Sequence, residues 1–245
     1  MESKLTLLLI ALNVAVFLLV FSMPEPLREE TFLRFFFSRG QALEVWRWVT
    51  NLFVHASASH LFFNMLGLYF FGKILEAEVP RQWFLAVYFV AGLMGNLVFM
   101  LTSASPVVGA SGAMFGVMGA AMFLNPVKRI HLYVFPLPAG IIAIAFTIFE
   151  ALIVYFQPPG LVDRNVANIS HVAGVLTGAL FAFFFAPKRS VKGALVLAVS
   201  LVLLVILGPL FALVAGIGGL ILQVVDFVVG LVLYTLAGAL GFLWA

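Results

Sequence analysis

Four side chains have the types and spacing to do chemistry together. Ser111 lies in Pro106-Val-Val-Gly109-Ala-Ser111-Gly112-Ala-Met-Phe115-Gly116, where a loop turns into an apolar segment and small residues flank a hydroxyl. Gly109 allows a tight turn and Gly112 leaves the hydroxyl uncrowded. A helix that opens at Ser111 sets unpaired N–H groups and the positive end of its dipole beside that oxygen, a place to hold developing negative charge. His60 and Asn64 are four residues apart and share a helix face, where both offer hydrogen-bond donors. His171, in Asn168-Ile-Ser170-His171-Val-Ala-Gly174, supplies an imidazole able to take a proton. A hydroxyl, a base and two donors are the parts for nucleophilic attack on a carbonyl. The same residues also fit a polar clamp between helices, or the lining of a transport site.

These residues sit in a very apolar chain. Hydrophobic residues make up 64% of the 245 and charged residues 9%, against roughly 25% charged in a soluble domain. Mean hydropathy is +1.19. The composition is that of a polytopic membrane protein of all-α class. The net charge of +3 comes from 13 basic residues scattered between apolar stretches, so no basic face exists for nucleic acid. With no cysteine, thiol catalysis, disulfides and cysteine zinc sites are excluded. The opening apolar run 5–21 is longer than a signal-peptide core and reads as a retained helix.

A spanning helix needs about 20 apolar residues. Helices are expected near 5–22, 57–75, 82–102, 111–125, 139–156, 166–186, 194–215 and 218–243, with a tight turn at Gly216-Ile-Gly-Gly219 between the last two. The fourth is short, roughly 22 Å against a hydrocarbon core of about 30 Å, so it begins below the membrane surface. Residues 102–110 before it then need cover from protein or a water-filled cavity. Eight of the 13 basic residues, including all five lysines, fall in loops on one side. By the positive-inside rule that side is cytoplasmic, both termini lie there, and the short helix starts on the external side. The first external loop, 22–57, mixes aromatics with arginine in Phe32-Leu-Arg34-Phe35-Phe-Phe and Val45-Trp46-Arg47-Trp48. It is expected at the headgroup boundary as an aromatic anchor. Gly112-x-x-x-Gly116 and Gly174-x-x-x-Gly178 offer matching grooves, and if they meet, Ser111 and His171 come within reach.

On these motifs the chain resembles the rhomboid intramembrane serine proteases. The matching pieces are Trp46-Arg47, His55…His60-x-x-x-Asn64, Gly72-x-x-x-Glu76, Gly109-x-Ser111-Gly112 and Ser170-His171-x-x-Gly174-x-x-x-Gly178, in family order over about residues 5–186. The resemblance implies a six-helix core, a water-filled cavity open to the outside, and a Ser111–His171 dyad without a carboxylate. It implies that His60 and Asn64 support the oxyanion together with the Ser111 N–H, beside Gly112, and that Phe115 stacks on the catalytic histidine where many members have tyrosine. It also implies transmembrane protein substrates within the bilayer, lateral entry near the second and fifth helices, and no cofactor or metal. Ser170 stands where alanine often precedes the base.

The expected organisation is a catalytic core over 1–190 and additional C-terminal helices, a two-helix hairpin, over 191–245. Its expected location is the cytoplasmic membrane. The alternative is a non-proteolytic binding or transport protein with a histidine-lined polar cavity. No His-Glu-x-x-His motif is present for a metalloprotease, and no pair of helix-borne aspartates for an aspartyl one. Glu150 and Asp226 are read as paired or protonated carboxyls outside the site.

Overall fold

The computed structural model describes residues 3–132, 135–140, 142–143, 146 and 164–239. The helices are α1 (Lys4–Phe21), α2 (Glu25–Phe35), α3 (Arg47–Thr50), α4 (Ala58–Glu78), α5 (Arg81–Thr102), α6 (Ser111–Leu124), α7 (Arg164–Phe185) and α8 (Pro187–Ala239). A short antiparallel hairpin, β1 (Arg129–Leu132) and β2 (Phe135–Pro138), pairs Arg129 with Pro138 and Leu132 with Phe135. Sequence reading gave no hint of this hairpin. Two prolines suit a strand that has only one neighbour, because no second ladder asks for their missing N–H.

α6 is the axis of the bundle. Every residue from Gly112 to Leu124 is buried, as befits a helix apolar on all sides. α4, α5 and α7 surround it. The approach is closest where glycines face one another. A Cβ on Gly174 would lie 2.3 Å from the Gly112 carbonyl oxygen, and one on Gly178 would lie 1.9 Å from that of Gly116. The two small-residue grooves therefore meet as expected, and they meet backbone to backbone. α7 turns Ile169, Val172, Leu176 and Leu180 outward, the face a membrane helix gives to lipid. Among the described helices, α1 and α5 have the length and hydropathy to cross a bilayer.

α4 carries more polar groups and places them by pairing. Glu76 accepts hydrogen bonds from the backbone N–H groups of Leu5 and Thr6, both at 2.9 Å, and from Thr6 Oγ1 at 2.7 Å. The carboxylate thereby caps the start of α1, where Ser3 offers no side-chain cap and the helix dipole favours an anion. Thr6 packs against Gly72, one turn before Glu76, so the Gly72-x-x-x-Glu76 motif is a joint between α1 and α4.

Two expectations need correction. No turn separates two C-terminal helices at Gly216–Gly219, because Pro187–Ala239 is one continuous helix in place of the hairpin. Gly193 of α8 lies against Phe123 at the end of α6, and Asp226 lies against Ser59 at the start of α4, so α8 makes one passage along the bundle instead of two. Asp226 is thus at the end of the bundle opposite Lys4, and among the described residues no further helix follows to bring the chain back, as the expectation of both termini on one side required. The physical reason is that glycine in an apolar environment does not by itself end a helix; unpaired backbone groups are costlier there than a few glycines. Most of the expected helix 139–156, with Glu150, lies outside the described residues.

Candidate active site

Ser111 is the first residue of α6, and the turn before it is tightly held. Gly109 has φ +113°, a conformation that side-chain-bearing residues rarely adopt, and a Cβ there would strike the His60 ring, 2.5 Å from Cε1 and 2.7 Å from Nε2. His60 therefore rests directly on the loop that delivers Ser111. The Gly109 N–H donates to the Asn51 carbonyl at 2.9 Å, and the Ala110 N–H points to His55 Nε2 at 3.4 Å. Ser111 and His60 are each half-buried as residues.

His171 comes to the same place from α7. Its ring stacks on Phe115, one turn into α6, with centroids 4.4 Å apart and planes 15° apart. A Cβ on Gly95 of α5 would contact Gly112 Cα at 3.4 Å and the Ser170 carbonyl at 3.5 Å, so the neighbours of Ser111 and His171 converge on one glycine. Ser170 Oγ also donates to the Gly95 carbonyl at 3.2 Å, which ties the residue before His171 to α5. Among the described residues no hydrogen bond joins Ser111 to His171. Catalytic hydrogen bonds are often long in unliganded sites and tighten when substrate binds.

On α4, Ser57 Oγ accepts the His60 N–H at 3.1 Å and caps the helix. One turn on, Asn64 is fully buried, and its Nδ2 donates to the His60 carbonyl at 2.9 Å, leaving its second amide hydrogen free. Around this turn His55 Nδ1, His60 Nδ1 and Asn64 Oδ1 are buried without a hydrogen-bond partner. His55 and His60 pack edge to face at 5.1 Å. All six sequence-predicted residues, Ser111, His171, His60, Asn64, Gly112 and Phe115, thus belong to one neighbourhood at one end of the bundle.

Sequence reasoning missed the support behind it. Asn51 and Asn96 exchange side-chain hydrogen bonds at 2.9 and 3.0 Å, and Asn96 Nδ2 also reaches the Trp48 carbonyl at 2.9 Å. The first loop is therefore more than an aromatic anchor. Its Asn51 holds Gly109, and Phe37 pairs with Val107 through two backbone bonds of 3.0 and 2.8 Å. Arg47, 8% exposed, binds Glu44 and the carbonyls of Leu33 and Phe36, closing the loop on itself. Leu43, Val45 and Trp46 stay exposed on its outer side, as a loop set in the headgroup boundary requires. A signal for the amide pair was present: Asn96 is an amide deep in the apolar middle of α5, far from the polar residues at its ends.

The described structure is thus a helical bundle in which a serine opens a buried helix, an imidazole stacks one turn further on, and His60 and Asn64 lie on the neighbouring helix. The Rhomboid domain model matches residues 42–188, and the chain belongs to the rhomboid family, a family of multi-pass membrane proteins. It is similar to the rhomboid protease GlpG of Yersinia pseudotuberculosis serotype I (strain IP32953), 27% identical over 180 residues that cover 74% of this chain and 62% of that protein. GlpG of Yersinia pestis (strain Pestoides F) shows the same identity and coverage. It is also similar to the rhomboid protease GluP of Bacillus subtilis (strain 168), 28% identical over 210 residues, 84% of this chain and 40% of the relative. The match thus spans less than two thirds of the length of these relatives.

Proposed function

We propose that the protein is an intramembrane serine endopeptidase that cuts transmembrane proteins within or next to their spanning segment, with Ser111 as nucleophile and His171 as base. The observation that carries this reading is the stacking of His171 on Phe115 one turn from Ser111, across a seam where glycine meets glycine. Ser111 Oγ attacks the scissile carbonyl while His171 accepts its proton. The tetrahedral oxyanion is held by the Ser111 N–H and by the side chains of His60 and Asn64. His171 then gives its proton to the leaving amine, and water releases the acyl group by the same route. Each oxyanion donor is worth about 2.7–4 kcal/mol, because it is fixed in advance where charge develops. Phe115 has no hydroxyl, so its part is to hold the imidazole plane. No metal or cofactor enters this chemistry.

In this reading residues 1–190 form the catalytic core and 191–245 an appended element. The site opens to the outer face of the cytoplasmic membrane, with Lys4 and the other lysines in the cytoplasm. Substrate helices enter laterally and must unwind locally, so helix-weakening residues near the cut favour cleavage.

The test uses purified protein in detergent with a single-pass model substrate and a serine-directed fluorophosphonate probe. Expected are cleavage and labelling in the unaltered protein, and loss of both in Ser111→Ala and in His171→Ala. Loss of a triad-type nucleophile costs on the order of 10⁴–10⁶ in kcat. Normal cleavage by Ser111→Ala would falsify the assignment, and no labelling of the unaltered protein would favour a non-proteolytic binding protein.

A further inference from the structure

α8 is fastened to α4 near its start and again at Asp226, thirteen residues before Ala239, and the two contacts are built differently. At the lysine-rich end Arg189 Nη2 donates to Glu78 Oε2 at 2.5 Å, and Asn125 Nδ2 donates to the other oxygen at 2.7 Å. Packing there is tight: a Cβ on Gly193 would lie 2.3 Å from Phe123 Cα. At the site end Asp226 receives the Ser59 N–H and the Ser59 hydroxyl, both at 2.7 Å. Packing there is open. A Cβ on Gly230 would meet nothing within 4 Å, and Val224, Phe227, Val228, Leu231 and Val232 are all exposed. The far end of α8 is thus held by a carboxylate clasp on an otherwise sparse contact, with Leu233 as its apolar hold on the core.

The clasp sits where a substrate has to come. Ser59 adjoins His60, and Ser57 caps that same turn. α1 takes one side of α4 and α6 another. In the protease reading a spanning segment that delivers a peptide bond to Ser111 passes the first turn of α4, where α8 lies against Ser59 through Asp226, while Phe146 lies further along α4 against Gly67 and Phe71. The Asp226 carboxylate satisfies a first-turn N–H that the Ser57 cap does not reach, and anions are favoured at a helix start. An open end with one polar fastening exchanges more readily than a packed one.

We propose that the end of α8, clasped through Asp226 to Ser59, occupies the docking surface for the substrate helix and holds the enzyme in a closed resting state. This rests on the protease reading above. A substrate helix then binds in proportion to the fraction of molecules whose clasp is open. A small soluble probe reaches Ser111 without using that surface.

The chain has no cysteine, so Ser59→Cys with Asp226→Cys makes a unique pair. Expected on oxidation is at least about a tenfold fall in cleavage of a single-pass substrate, restored by reduction, with fluorophosphonate labelling of Ser111 unchanged in both states. Asp226→Asn, without any cross-link, is expected to raise kcat/KM for the membrane substrate about fivefold or more at unchanged labelling. Equal cleavage by oxidised and reduced protein, or normal labelling with no gain in Asp226→Asn, overturns the latch and leaves the protease reading standing. Failure of the unaltered protein to be labelled overturns that reading and the latch together.

Discussion

Two seams of this bundle are made on opposite principles. Between α6 and α7 the contact is backbone on backbone: Gly112 meets Gly174 and Gly116 meets Gly178, with His171 stacked on Phe115 and Phe123 against Phe183. Between α4 and its partners α1 and α8 the contact is held by charge: Glu76 on the start of α1, Glu78 with Arg189, Asp226 on Ser59. In lipid, association between helices draws little from the hydrophobic effect, so close packing of small residues or hydrogen bonding must supply it. The first device fixes a distance and tolerates no change. The second can be released and remade. The residues proposed as nucleophile and base sit on the first kind of seam, and His60 and Asn64, the side chains proposed to hold the oxyanion, sit on the helix held by the second.

The comparison is broken or sharpened by substitutions along each seam. The largest effect is expected for Gly178→Val, whose Cβ would overlap the Gly116 carbonyl; overpacking typically costs about 1–3 kcal/mol, and here the obstacle is backbone, so the upper end or more applies. Thermal unfolding in detergent should show a large fall with labelling lost, and a folded, labelled Gly178→Val would show that the seam is not rigid. Next comes Asn96→Leu, which leaves the Asn51 amide buried and unpaired at a cost of about 1–3 kcal/mol. Because Asn51 also holds Gly109, this variant should lose kcat as well as stability, and a stability loss with unchanged kcat would separate the first loop from the site. Glu76→Ala removes the cap of α1 and is expected to cost about 0.5–2 kcal/mol in unfolding, with labelling of Ser111 retained. The smallest effect belongs to Arg189→Ala. Its side chain is about half exposed, and such ion pairs contribute about 0–1 kcal/mol, so a drop in melting temperature as large as that of Glu76→Ala would show this end of α8 to be more than a surface fastening.

Much of the site was legible before any coordinates. The start of α6 at Ser111 followed from a loop ending in small residues and a following segment too short to span. The α6–α7 contact followed from two Gly-x-x-x-Gly pairs, because a small-residue stripe in lipid has few uses besides close approach. The membrane helices 4–21, 58–78 and 81–102 fell within a few residues of expectation, since hydropathy reports burial in lipid directly. The C-terminal helix was misread because Gly216-Ile-Gly-Gly219 looks like a turn when judged as it would be in water. The Asn51–Asn96 pair was missed because either amide alone is unremarkable, and the two residues are 45 positions apart.

The sequence by itself determined that this is a helical membrane protein, where the helices 4–21, 58–78 and 81–102 lie, and which hydroxyl, imidazole and donors are present, because each is a property of a residue and its near neighbours. Only the tertiary structure decided that Gly109 lies under His60, that Asn51 holds the loop before Ser111, and that Asp226 ends at Ser59. Those facts depend on which helix faces which. That choice is made by the sum of many distant contacts and leaves no local mark in the chain.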